Sequence, residues 1–294
     1  MSAEPPATAP LAAFSELLAR PDPEIDLARA CLLVAEDAYP ALDVEGYLGE
    51  IERFAGRLRA RLPADPGIED RILALNEFLF ADLGFKGNAK RYYDPRNSYL
   101  NEVIDRRQGI PITLAVLYSE LGRRIGLALE GVSFPGHFLV RLPLRGGMLV
   151  LDPFSGGIPL DEDELRARLK RVIPPEALAT PAGKVPLAEL PLEQFLAPAT
   201  KRQVLARLLR NLKGIYREAD RPDQLLAVLH RMLVVAPEAA AEWRDRGFAY
   251  ERLECWRAAL QDFAEYLRRD PEAPDMPEIR ARMSELSQRS ARLN

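Results

Sequence analysis

A 34-residue period in the last third of the chain limits what this sequence can become more than any other feature. Tyr216 recurs as Tyr250, Leu233 as Leu267 and Pro237 as Pro271, and Leu229 is matched by Phe263 at the same interval. That period is one helix–turn–helix unit, whose large apolar residues are buried only when the next unit stacks on them. In the second copy Trp243, Gly247, Tyr250, Ala259, Phe263 and Pro271 alternate large and small positions and end on a helix-stopping proline. The first copy is degenerate, with Lys213 where the second has Gly247. Two copies are few for a solenoid, so Pro277–Leu293 is expected to form a capping helix, with the front of the chain covering the other end.

Residues 200–294 are therefore read as an all-α repeat tail. The proline-rich stretch over residues 173–199 (Pro174, Pro175, Pro181, Pro186, Pro191, Pro198) is read as a surface connector. Ahead of it, residues 23–172 carry a different pattern. Apolar stripes at helical spacing predict helices over Asp26–Tyr39, Val44–Leu62 and Ile68–Leu83. Gly84, Gly87 and Asn88 break the pattern, and RYYDPRNSYL reads as a loop. A short helix over Tyr99–Arg107 is expected to end by Gly109. Pro111 suits the first turn of the next helix, where its missing N–H would have had no partner. Three strands (Leu129–Phe134, His137–Leu142, Met148–Leu151) and a helix over Glu162–Arg171, capped by Asp161 with Glu164, complete an α+β domain. Residues 1–22, rich in Ala and Pro, are read as a mobile arm.

With 40 basic against 44 acidic residues, interspersed, nothing suggests a nucleic-acid partner. No apolar run approaches a membrane span, and the N-terminus has no basic region before an apolar core, so a cytoplasmic protein is expected. Cys31 and Cys255 match no redox or metal spacing, and His137 and His230 are the only histidines. No metal and no cofactor is expected.

His137 and Asp152 form the one pair placed for chemistry. Between them, Arg145-Gly146 makes a two-residue hairpin turn with Gly146 at positive φ. In that register Leu144 faces Gly147 and Leu139 faces Asp152, which puts His137 diagonally beside Asp152 on the same face. A slip of one residue would separate them. Two readings stand at this point: a carboxylate orienting an imidazole base, or a structural histidine beside an aspartate that caps the Asp-Pro-Phe turn.

The stretch NSYLNEVIDRRQGIPITLAVLYSELGRRIGLALEGVSFPGHFLVR, followed by LDPFSGG, resembles the bacterial SirB-type family, over roughly Asp26–Gly157. The resemblance implies a papain/transglutaminase-like domain (helices packed on a small antiparallel sheet) followed by tetratricopeptide repeats. Catalytic members of that fold use Cys, His and Asp in chain order, the cysteine at a helix start where the dipole favours its thiolate. The matching positions are Pro111, His137 and Asp152, so the nucleophile is replaced by proline. Thr113, in the same helical turn, is a weak substitute, since a first-turn hydroxyl more often satisfies the backbone.

Other residues are candidates for binding: Asn97 in a polar groove, Gly109 and Gly136 where a ligand could approach the backbone, and Trp243 and Tyr250 on the repeats. The expected function is a non-catalytic protein or peptide binder, using the degenerate cleft and the tetratricopeptide tail, with a regulatory role open. The alternative is a cysteine-independent hydrolase or acyl transferase in which His137/Asp152 activates water or Thr113.

Overall fold

The computed structural model describes residues 9–174, 179–180, 183–184 and 191–292. Twelve α-helices appear among them: α1 Ala9–Leu18, α2 Leu27–Ala35, α3 Val44–Arg59, α4 Ile68–Asn76, α5 Leu100–Arg106, α6 Pro111–Arg124, α7 Glu162–Val172, α8 Lys201–Glu218, α9 Pro222–Val235, α10 Ala240–Arg252, α11 Trp256–Arg269 and α12 Met276–Arg292. The strands are β1 Lys86–Gly87, β2 Gln108–Gly109, β3 Glu130–Val132, β4 Leu139–Leu144, β5 Gly147–Asp152, β6 Ile158–Leu160, β7 Ala179–Thr180 and β8 Gly183–Lys184. The architecture is α+β followed by helical repeats. It divides into two compact units, one of Leu27–Leu32 with Asp43–Val204, the other of Leu33–Leu42, Leu205–Asn294 and the described part of Met1–Asp26.

In the first unit α6 is the central element. Every residue from Pro111 to Tyr118 is buried, because the sequence offers apolar or small side chains all round the helix. Helices α3 and α4 pack on it, and so do β3 and β4. The main sheet runs antiparallel in the order β3-β4-β5-β6. Leu144 pairs with Gly147 and Val140 with Leu151, the register expected from the turn, with Gly146 at φ +93°. Leu139 and Val150 face Leu165 and Leu169 of α7 in one apolar cluster with Val132, Phe134 and Leu160. The Asp161–Glu164 capping box starts α7 as predicted.

Four expectations need correction here. The connector was expected on the surface, but Leu192 and Leu196 are buried in the α7 cluster, and Val132 bridges Pro198 beside β3. Their apolar spacing outweighs the flanking prolines; residues 175–178, 181–182 and 185–190 lie outside the described residues. The expected mobile arm is, over Ala9–Leu18, a helix that buries Phe14, Leu17 and Leu18; residues 1–8 lie outside the described set. It packs on α9 of the repeat unit. Ahead of the RYYDPRNSYL loop, Lys86–Gly87 forms β1, which pairs in parallel with β2, and α5 ends on left-handed Arg107 (φ 57°), two residues before the Gly109 expected to end it. Finally, β4 begins at Leu139, and His137 instead closes a turn in which its N–H donates to the Phe134 carbonyl at 3.0 Å.

In the second unit α9, α10, α11 and α12 pack in sequence, each on the next. Tyr250, Ala259, Phe263, Tyr266, Ile279 and Leu286 form its core. Gly247 is there for contact: a Cβ would lie 2.6 Å from Phe263 Cε1. Gly247→Ala is therefore expected to destabilise the chain by about 1–3 kcal/mol despite alanine's better helix propensity. A thermal melt showing equal or higher stability would contradict this packing.

Candidate functional site

The Phe134–His137 turn sets the imidazole. Pro135 and Gly136 occupy its centre, Gly136 at φ +69°, a conformation that glycine adopts without a Cβ penalty. A Cβ on Gly136 would also lie 2.6 Å from Val172 Cγ2, so the turn sits directly on the end of α7. One sheet register away, β5 ends at Asp152, which is fully buried.

Four groups converge on the Asp152 carboxylate. His137 Nε2 lies 2.9 Å from Oδ1, which also accepts the Phe154 N–H at 3.1 Å. Oδ2 accepts Ser155 Oγ at 2.9 Å and pairs with the Arg168 guanidinium at 2.8 Å. Burial pushes this carboxyl upward, but the hydrogen bond and charge of His137, then those of Arg168, overcome it and hold Asp152 at about 2. An ionised carboxylate only accepts, so Nε2 carries the proton and in the neutral ring Nδ1 is the acceptor nitrogen. The Phe154 ring meets the imidazole edge to face, with centroids 5.8 Å apart. One carboxylate oxygen does two things at once: it holds the His137 ring in orientation and caps the Asp-Pro-Phe turn.

The following loop is fixed as firmly. Gly157 (φ +74°) donates to the Asp152 carbonyl at 2.8 Å and accepts at 3.0 Å from Asn76, whose Oδ1 takes the Tyr118 hydroxyl at 2.8 Å. A Cβ on Gly157 would fall 2.1 Å from Asn76 Oδ1.

A cleft of about 330 Å³ opens beside His137. Pro135, Gly136 and His137 form one wall, and Glu164, Ala167, Arg168, Arg171 and Val172 of α7 form the other. These α7 positions lie on one helical stripe, next to the Leu165/Leu169 stripe that anchors the helix in the core.

Pro111 stands at the first position of α6 and is buried, with no nucleophilic atom. The Thr113 hydroxyl is 2.8 Å from the Asn97 carbonyl and 3.1 Å from the Ile110 carbonyl, and accepts the Ile110 N–H at 3.1 Å. Its single proton is spent on the backbone, which removes it as a nucleophile candidate.

Three other candidates are also internal. Asn97 is fully buried, donating to the carbonyls of Arg91 and Tyr92 and accepting from Asn88, so it staples its loop and faces no groove. At Gly109 a Cβ would meet Thr113 Oγ1 at 2.7 Å, which is close packing between chain segments. Tyr250 is buried in the repeat core, its hydroxyl 2.8 Å from His230 Nε2. Desolvation, then the charges of Arg246 and Arg231, hold His230 at about 4, so it is neutral near pH 7. The Trp243 indole donates to the Pro237 carbonyl and lies under the guanidinium groups of Arg246 and Arg269, a repeat-packing role. Sequence reasoning missed Arg168 and Ser155. Ser155 had a signal, three residues after Asp152 at a turn; Arg168 had none, since only the fold brings α7 to the end of β5. Among the described residues, no three His, Cys, Asp or Glu side chains gather to hold a metal ion. No helix among them is long and apolar enough to cross a membrane.

A helix carrying Pro111, then His137, then Asp152 at the end of the next strand is the order of a transglutaminase-like core, and the chain belongs to that class: the transglutaminase-like superfamily model matches residues 45–210. A tetratricopeptide repeat model matches residues 212–284. Within the class it belongs to the UPF0162 family, being 41% identical over 266 residues to the UPF0162 protein of Xylella fastidiosa strain Temecula1, across 90% of this chain and 92% of that one. Protein SirB1 of Salmonella typhimurium is 28% identical over 239 residues (81% and 84% of the two chains). UPF0162 protein YchA of Escherichia coli K12 is 28% identical over 259 residues (88% and 90%).

Proposed function

We propose that this protein is a non-catalytic binding protein: the cleft beside His137 holds a peptide or protein segment, and the tetratricopeptide tail holds a partner. The observation that carries this reading is Pro111, inert and buried at the helix start where an active relative needs a thiolate. The spent hydroxyl of Thr113 supports it, because the nearest substitute is committed to capping. The His137–Asp152 pair then serves to fix the cleft wall, and Arg168 braces that wall from α7. A rigid wall lowers the ordering cost of binding, which favours a recognition role.

His137→Ala tests the reading. With ester, amide and isopeptide substrates the wild type and the variant are expected to give the same background rate, while the variant binds cleft ligands more weakly. Turnover above background that disappears in His137→Ala would overturn the proposal in favour of an enzyme in which the pair activates water.

A further inference from the structure

The cleft has a polarity along α7. Glu164 lies in the first turn and Arg171 in the last, about 10 Å apart along the helix axis. The two charges differ in what they are already doing. Glu164 Oε2 accepts the Asp161 N–H at 3.1 Å and sits at the helix N-terminus, where the dipole favours a carboxylate. Arg168, between them, is paired with Asp152 at 2.8 Å. Arg171 is exposed, and among the described residues it has no hydrogen-bond or ion-pair partner. It is therefore the uncommitted charge of the cleft. Beside it are apolar surfaces: Val172 is 48% exposed although it packs toward Gly136, and Ala167 is exposed one turn earlier.

We infer that the cleft takes an extended acidic segment of a partner protein, with a Glu or Asp side chain on Arg171 and an aliphatic neighbour against Val172 and Ala167. This rests on the reading of the cleft as a binding site. A guanidinium forks onto a carboxylate through two parallel N–H donors, a geometry that an amide or an ammonium does not reproduce. The span from Glu164 to Arg171 fits about three extended residues. The carboxylate is assigned to a side chain within a continuing segment, and a free chain terminus is the alternative that the test separates.

The full-length protein is titrated, by fluorescence anisotropy, into three labelled hexapeptides blocked at both ends, alternating valine with glutamate, glutamine or lysine. A fourth peptide alternates valine and glutamine but ends in a free carboxylate. The glutamate peptide is expected to bind about tenfold more tightly than the glutamine one, and to lose that margin at high salt or in Arg171→Glu. Ala167→Trp, at an exposed position that leaves the core intact, is expected to abolish its binding. Equal binding of the glutamate and glutamine peptides, or preference for lysine or for the free terminus, with Ala167→Trp still blocking, would overturn the acidic-segment inference and leave the cleft reading standing. No binding by any peptide, or binding untouched by Ala167→Trp, would overturn both. Melting curves of Arg171→Glu and Ala167→Trp that match the wild type establish that a lost affinity is not unfolding.

Discussion

Asp152→Ala is expected to lower the unfolding free energy by about 3 kcal/mol at neutral pH. The carboxylate is fully buried and satisfies the His137 N–H, the Phe154 N–H, the Ser155 hydroxyl and the Arg168 guanidinium. Removing it leaves a cation and three donors without their acceptor. The Arg168 and His137 side chains keep 24% and 18% of their surface in solvent, which places the loss at the low end of the range for a broken buried pair. The effect carries a pH signature. The folded carboxyl is held at about 2, below its ordinary 3.8, so its contribution is present above pH 3.8 and is lost as pH falls through about 2. That difference corresponds to about 2 kcal/mol. Denaturant melts from neutral to acid pH should therefore show the gap between wild type and Asp152→Ala narrowing below pH 3.8. A gap that stays constant across that interval would mean that the ionised carboxylate is not its source.

The same carboxylate shows what a sequence discloses and what it withholds. The hairpin register was legible because a two-residue turn with glycine at positive φ admits one pairing, and side-chain alternation then fixes which residues share a face. Pro111 was legible as a helix start because proline lacks the N–H that position leaves unused. The partners of Asp152 outside the hairpin were not. Arg168 is sixteen residues further on, and its place depends on Leu165 and Leu169 docking α7 against the sheet. Asn97 and Gly109 fail as ligand residues for a related reason: a polar side chain or a glycine looks alike in sequence whether it faces a ligand or the interior.

Composition misled where a few apolar residues overrode their surroundings. Phe14, Leu17 and Leu18 sit in an Ala/Pro-rich segment, and Leu192 and Leu196 in a proline-rich one, yet all five are buried. A helix of ten residues is marginal alone and needs a surface to bury its stripe against, which no local pattern reports. By contrast, the 34-residue period exposed the repeats because stacking units must repeat the residues with which they stack. Trp243 and Tyr250 were found by that period, and the same period explains why they pack within the repeats.

Asp37→Ala is expected to cost about 3–5 kcal/mol in the repeat-containing unit, the largest effect foreseen for a single substitution. Arg231 on α9 is fully buried, and its Nε and one terminal nitrogen donate to the two Asp37 oxygens at 2.5 and 2.8 Å. Its guanidinium carbon lies 4.9 Å from the centroid of the Phe14 ring of α1. One Arg231 nitrogen and one Glu36 oxygen are buried without a hydrogen-bond partner. Asp37 is thus the only hydrogen-bonded counter-charge of a sealed cation among the described residues, and deleting it strands that cation. Glu36 works in the opposite direction. Burial raises its carboxyl, with Arg231 lowering and Asp37 raising it, so the folded state binds this proton more tightly and gains stability as pH falls through the raised value. Glu36→Gln is accordingly expected to stabilise at neutral pH where Asp37→Ala destabilises. The double substitution Asp37→Leu with Arg231→Met replaces the pair by apolar groups and should recover most of the loss, since the pair's own desolvation cost disappears with it. A double variant as unstable as Asp37→Ala alone would show instead that the pair itself, beyond filling the space, is what the unit needs.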